Sequence, residues 1–148
     1  MHIRQACAGD VSRIAEILVF NNRLNFFPIF KDERFSFGEM QVVPIAQAYL
    51  SDSAALGGIY VYDDGLVRGF VQICGSEIKK LYVDPFFQSR GVGAALLDYA
   101  LAQKHAAFLW ALEKNVRALR FYQRHGFHLT QERALEEGTT EYLVKLEH

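Results

Sequence analysis

Residues Gln88-Ser89-Arg90-Gly91-Val92-Gly93 follow the apolar run Ile78–Val83 and open an amphipathic stretch over 91–104. A glycine-rich turn at a helix N-terminus points unpaired backbone N–H groups at one spot, where the helix dipole adds positive potential. Such a turn receives phosphate or pyrophosphate, or simply starts a helix. A Walker loop would need Gly-Lys-Ser/Thr, whereas Gly93 is followed by Ala94-Ala95. A Rossmann turn begins directly after its strand and carries a third glycine three positions past the second. Gly91 lies eight residues beyond Val83, and position 96 is leucine. Glu113 sits where a ribose-binding acid would, but the rest of that unit does not fit.

Working outward, the pattern predicts a first strand over 2–7 and a helix capped by Asp10 or Ser12, with Ile14, Ile17 and Leu18 inward. Asn21 to Gly38 reads as a loop or broken helix with five phenylalanines, Phe26, Phe27, Phe30, Phe35 and Phe37. Met40–Leu50 reads as a second helix limited or kinked by Pro44. Strands over Ile59–Tyr62 and Leu66–Cys74 join through Asp64-Gly65, a hairpin signal. Glu77–Val83 follows as a strand. Ile78 and Leu81 are three apart, so either a bulge near Lys79-Lys80 brings both inward or the strand is buried on both faces. Helix 91–104 is expected to turn Val92, Leu96, Tyr99 and Gln103 to one side, with Ala95 and Ala100 beside them. Ala107–Leu112 reads as a strand, Asn115 to Gly126 as a capped helix. A closing hairpin spans Phe127–Arg133 and Thr140–Leu146. The order implies one α/β (α+β) domain over 1–148, with a mixed, mainly antiparallel sheet of about six to seven strands and about four flanking helices.

Composition agrees with one globular domain: 148 residues, 51% hydrophobic and 22% charged. Sixteen basic and seventeen acidic residues nearly cancel, which gives no sign of a nucleic-acid partner. No membrane-spanning run or secretory signal is read, so no membrane partner and a cytoplasmic location are expected. Cys7 and Cys74 sit in apolar segments and read as buried free thiols. His105, His125 and His128 lack metal-ligand spacing, so no metal is expected.

Downstream, Leu109-Trp110-Ala111-Leu112-Glu113-Lys114-Asn115 precedes Ala118, Phe121-Tyr122 and Gly126-Phe127. Together with Leu81-Tyr82-Val83-Asp84-Pro85 and the glycine turn, these residues closely resemble the GNAT superfamily of N-acetyltransferases, over about Glu77 to Phe127. The N-terminal Ile3-Arg4-Gln5-Ala6 leading to Asp10 fits as well. The resemblance implies a GNAT-like sheet with splayed central strands and acetyl-CoA as co-substrate. It places the pyrophosphate on Gln88 and on Arg90, Gly91, Val92, Gly93, Ala94 and Ala95. It lays the pantetheine arm along Leu81, Tyr82 and Val83, with the amide of Asn115 toward it. Asn115 is equally explained as a helix N-cap. Tyr122 is placed at the coenzyme sulfur, where its hydroxyl would assist the leaving thiolate, and it also fits a core tyrosine.

The reaction so implied is direct attack of an amine on the thioester, with a backbone N–H near Val83 or Leu81 polarising the carbonyl. A lysine-like amine of pKa about 10.4 is mostly protonated at pH 7, a deficit of ~4.6 kcal/mol, so a base matters. Glu77 is where many members carry that carboxylate, and it also reads as an exposed strand-start residue. The fifth-strand glutamate of other members is Trp110 here, and Glu113 reads as a strand-end charge. The acceptor is a small-molecule or peptide amine. Asn21–Phe37 is the expected wall, with Tyr142 opposite, or else a lid or a homodimer contact. Arg23 and Arg34 could receive a substrate carboxylate, Asp32 and Glu33 an ammonium. A non-catalytic acyl-CoA sensor on the same fold is the alternative from another class, and a nucleotide-binding domain a third.

Overall fold

The computed structural model describes residues 2–148. Seven strands form one sheet in the order β1-β2-β3-β4-β5-β7-β6. They are β1 (Ile3–Gln5), β2 (Ile59–Asp63), β3 (Val67–Cys74), β4 (Glu77–Val83), β5 (Phe108–Leu112), β6 (His128–Leu135) and β7 (Tyr142–Glu147). Neighbours are antiparallel except β4 and β5, which are parallel. The helices are α1 (Val11–Asn21), α2 (Phe27–Phe30), α3 (Val42–Leu50), α4 (Ser53–Gly57), α5 (Val92–Lys104) and α6 (Val116–Arg124). Among the described residues no helix is long and apolar enough to cross a membrane.

Each face of the sheet carries its own core. On one side Val92, Leu96, Leu97 and Ala100 of α5 pack with Val71, Ile78, Leu109, Tyr122 and Leu146. On the other, Ile14, Ile17 and Leu18 of α1 and Tyr49 of α3 pack on Ile59, Val61 and Phe70. Phe70 is fully buried, and such a ring contributes about 1.5–3 kcal/mol. Gly69 lets α5 lie close on the sheet. A Cβ there would stand 2.8 Å from the Tyr82 carbonyl oxygen and 3.2 Å from Leu96 Cδ1. That close approach fixes where the α5 N-terminus ends up.

Several expectations are corrected. Asp10 does not cap α1 through its side chain. Its carboxylate turns back to the Arg4 guanidinium (2.8 and 2.9 Å) and the Cys7 N–H (2.8 Å). The Arg4 bonds hold it down at about 2. Cys7 and Cys74 are exposed, because β1 ends at Gln5 and Cys74 closes the β3–β4 hairpin. Gln103 faces solvent, and Leu97 takes the inward position. The short helix α4, capped by the Asp52 carboxylate on the Ala55 N–H (3.0 Å), has no counterpart in the expected elements. Helix α3 starts at Val42, which leaves Pro44 in the first turn, where its missing N–H breaks no bond. Asn21–Gly38 is a broken helix: α1 widens into a π-helical turn over Asn22–Phe26, passes through α2, and winds again over Arg34–Glu39.

Candidate active site

β4 carries a bulge. Gln72 pairs with Lys80 and Ile73 with Ile78, so Lys79 is left over. The extra residue resets the alternation and turns both Ile78 and Leu81 to the α5 side. Only Glu77–Phe108 and Ile78–Leu109 join β4 to β5. Beyond them the strands part, and a cavity of about 1220 Å³ opens along the gap.

The backbone of β4 faces that gap. The Asp84 N–H bonds to the Arg68 carbonyl (2.9 Å) in β3. Antiparallel alternation therefore aims Tyr82 toward β3 and Leu81 and Val83 into the opening. Asn21 of α1 donates to the Val83 carbonyl at 3.0 Å, and Gln88 reaches the same oxygen at 3.4 Å. The loop below is pinned from α1 as well. Arg13 pairs with Asp84 at 2.7 Å, while Asp84 accepts from the Phe86 N–H at 2.8 Å.

At the end of the gap stands the α5 N-terminus. Gly91 has φ +82° and occupies the N-cap position. The Ala95 N–H bonds to the Gly91 carbonyl (3.0 Å), so the N–H groups of Val92, Gly93 and Ala94 have no intrahelical acceptor. A Cβ on Gly91 would meet no atom beyond its chain neighbours within 4 Å, and Gly91, Gly93 and Ala94 line the cavity. Gly93 faces across to α6, where a Cβ would lie 3.5 Å from Phe121 and from Val83. Open N–H groups at the end of a 13-residue helix fit a pyrophosphate, and the cleft beside them fits an extended thioester arm.

The far wall comes from β5 and α6. Trp110, Ala111, Leu112, Asn115, Ala118, Phe121, Tyr122 and His125 line it. The Asn115 Oδ1 accepts from the Ala118 N–H at 3.3 Å, so the oxygen serves the cap and the NH₂ is left for the cavity. Tyr122 packs edge-on to Phe121 and Phe127 (5.3 and 5.6 Å between centroids). Burial pushes its phenol well above the usual tyrosine value. It remains a neutral O–H donor.

Of the expected coenzyme residues, Leu81, Tyr82, Val83, Gln88, Gly91, Gly93, Ala94, Asn115 and Tyr122 meet around this one cavity. Arg90, Val92 and Ala95 do not line it. Arg90 is exposed beside the Phe87 ring, and the Val92 side chain belongs to the core. Glu77 is also absent from the wall. It sits in the closed part of β4, opposite Phe108, and pairs with Lys79 at 3.2 Å. Glu113 is held by Arg133 through two bonds of 2.9 Å, as a strand-end charge. Tyr142 lies outside under the Arg133 guanidinium; Glu136, Glu137 and Leu143 line the cavity instead. Phe26, Phe30 and Phe35 line it, whereas Phe27 and Phe37 pair with each other (5.1 Å) away from it. Sequence reasoning gave Lys80 no site role, and it had Asn21 and Asn22 only as part of the expected 21–37 wall, where both do line the cavity. Asn22 is buried with an unpaired Oδ1. Their signal was polarity where the pattern asks for apolar residues.

Residues 55–129 match the Acetyltransferase (GNAT) domain family. The chain is 37% identical over 68 residues to the peptidyl-lysine N-acetyltransferase YiaC of Escherichia coli, a stretch covering 45% of this chain and 47% of that protein. It thus spans about half the length of the curated relatives it matches. In fold it is similar to an N-acetyltransferase from Staphylococcus aureus (TM-score 0.80, 16% identity, all of both chains). It is also similar to yncA from Salmonella typhimurium, solved with acetyl-CoA (TM-score 0.67, 17% identity, 99% of this chain and 91% of that one). The family match covers half of the chain and contains the glycine turn, the parted strands and the Asn115–Tyr122 helix: this chain belongs to the GNAT acetyltransferase family.

Proposed function

We propose that the chain transfers the acetyl group of acetyl-CoA to a primary amine of a small molecule or peptide. The observation that carries this reading is the parting of β4 from β5 between an open helix N-terminus and the Tyr122 hydroxyl. The yncA complex with acetyl-CoA and the peptidyl-lysine activity named for YiaC support the same donor and an amine acceptor.

Acetyl-CoA supplies an activated acyl group on a thiol. The α5 N-terminus holds its pyrophosphate, with Gln88 at the edge of the turn. The N–H groups of Leu81 and Val83, fixed by the β3 register and by Asn21, face the thioester carbonyl as donors that need no reorganisation. The Tyr122 hydroxyl donates to the departing sulfur. On the acceptor side, Asp32, Glu136 and Glu137 line the cavity and favour arrival of an ammonium group. Glu77 does not line the cavity, so these three, rather than Glu77, are the carboxylates presented to the amine.

Thiol release from acetyl-CoA tests this directly, measured with a panel of free amines and lysine peptides. Turnover dependent on a primary amine is expected. Binding of acetyl-CoA without amine-dependent thiol release would favour an acyl-CoA sensor instead.

A further inference from the structure

A second cavity, of about 420 Å³, adjoins the first; Leu18, Phe35, Met40 and Lys80 line both. It lies on the α1–α3 side of the sheet, away from α5. Gln72 and Lys80 face each other across β3 and β4 there. The buried Tyr49 donates its O–H to the Gln72 Oε1 at 2.9 Å. Desolvation pushes that phenol up to about 12, so it stays a donor. With its oxygen committed to Tyr49, Gln72 has its NH₂ left for the cavity.

Beside it, Lys80 is half-buried. The adjacent Lys79 has a carboxylate partner, Glu77, at 3.2 Å. Among the described residues Lys80 has no ion pair, and the one charge that acts on it is the like charge of Lys79. Asp52 and Glu39 also line this cavity; Asp52 caps α4 through the Ala55 N–H, Glu39 is exposed, and neither forms an ion pair with Lys80. The expected carboxylate receptor Arg23 is also committed, to the carbonyls of Ser36 (3.2 Å) and Met40 (3.4 Å). An ammonium partly withdrawn from water without a partner destabilises a fold. An ammonium and an amide NH₂ carried by cross-strand partners that line one cavity can together receive a planar oxyanion.

We propose that Lys80 and Gln72 bind a carboxylate of the acceptor, so that the acceptor is an amino acid or another small amine carrying a carboxylate. Its apolar part packs against Leu18, Phe35 and Met40. Its amine turns toward the parted strands, one residue along β4 at Leu81. This rests on the acetyl-transfer reading and narrows its acceptor.

The test is calorimetric titration of the coenzyme A-loaded protein with two matched pairs, phenylalanine against phenethylamine and lysine against cadaverine. In at least one pair the amino acid should bind 10-fold or more tighter than its decarboxylated partner. Lys80→Met should erase that difference. The same variant should raise the Tm of the free protein, which loss of a merely structural lysine would not do. Equal affinity within both pairs, or a preference that survives Lys80→Met, overturns the proposal. Failure of the acetyl-transfer reading shows separately, as no amine-dependent thiol release from acetyl-CoA by wild type, and failure of the coenzyme site as no stabilisation by coenzyme A. The pairs are then compared on the unloaded protein, with the same outcomes decisive.

Discussion

Replacing Gly91 with valine is expected to weaken acetyl-CoA binding by about 100-fold, ~2.8 kcal/mol. Two effects add. Gly91 holds φ +82°, a left-handed conformation that raises the energy of an L-residue by roughly 1–2 kcal/mol and that a β-branched residue resists most. Relief of that strain moves the first turn of α5 and its three free N–H groups. The new side chain also occupies open space at a position that lines the cavity, since nothing beyond the chain neighbours lies within 4 Å of a Cβ there. The fold should survive, because the position is exposed and packs on nothing. Calorimetric Kd values for wild type, Gly91→Ala and Gly91→Val should therefore rise in that order. An unchanged Kd for the valine variant would remove the α5 N-terminus from the account.

Tyr122→Phe is expected to lower kcat by about 100-fold, at the lower end of what a positioned proton donor contributes. The KM for acetyl-CoA should stay near wild type. The ring keeps its contacts with Phe121 and Phe127, so stability is a control rather than the effect. Burial raises the phenol's pKa. The sign follows: the hydroxyl keeps its proton through the ordinary tyrosine value near 10, so its loss should not appear as an alkaline fall in kcat below that pH. Steady-state kinetics from pH 6 to about 10 check both points. A phenylalanine variant with full kcat would reduce Tyr122 to packing.

The residues of β4, the glycine turn and α6 that meet around the cavity were legible because their signals are local. Gly91 and Gly93 announce a turn that needs open backbone, and Asn115 and Tyr122 fall on one helix at fixed spacing. The bulge at Lys79 was one of the two readings left open by Ile78 and Leu81, both apolar and three apart, and register settles it. The strand and helix order from Ile59 to Gly126 followed from the same short-range signals. What failed depends on distance in space. Whether Glu77 reaches the cavity depends on where β5 leaves β4, which no spacing within β4 records. Gln103 against Leu97 depends on how far α5 extends past the sheet. Cys7 and Cys74 looked buried by composition, but each lies just past the paired part of its strand or at a hairpin end. The acceptor wall was least legible: the wide turns over 22–39 carry no simple period, and Lys80 gains meaning only beside Gln72 and Tyr49.

Thermal unfolding of the wild-type protein with rising acetyl-CoA, coenzyme A, ATP and NAD bears most directly on the central claim, a coenzyme A site between the parted strands. At about 100-fold over Kd a ligand adds ~2.7 kcal/mol, which for a domain of this size raises Tm by roughly 5–10 °C. That shift is expected for acetyl-CoA and coenzyme A, with none for ATP or NAD. No shift with either coenzyme A species, or an equal shift with all four ligands, would contradict it.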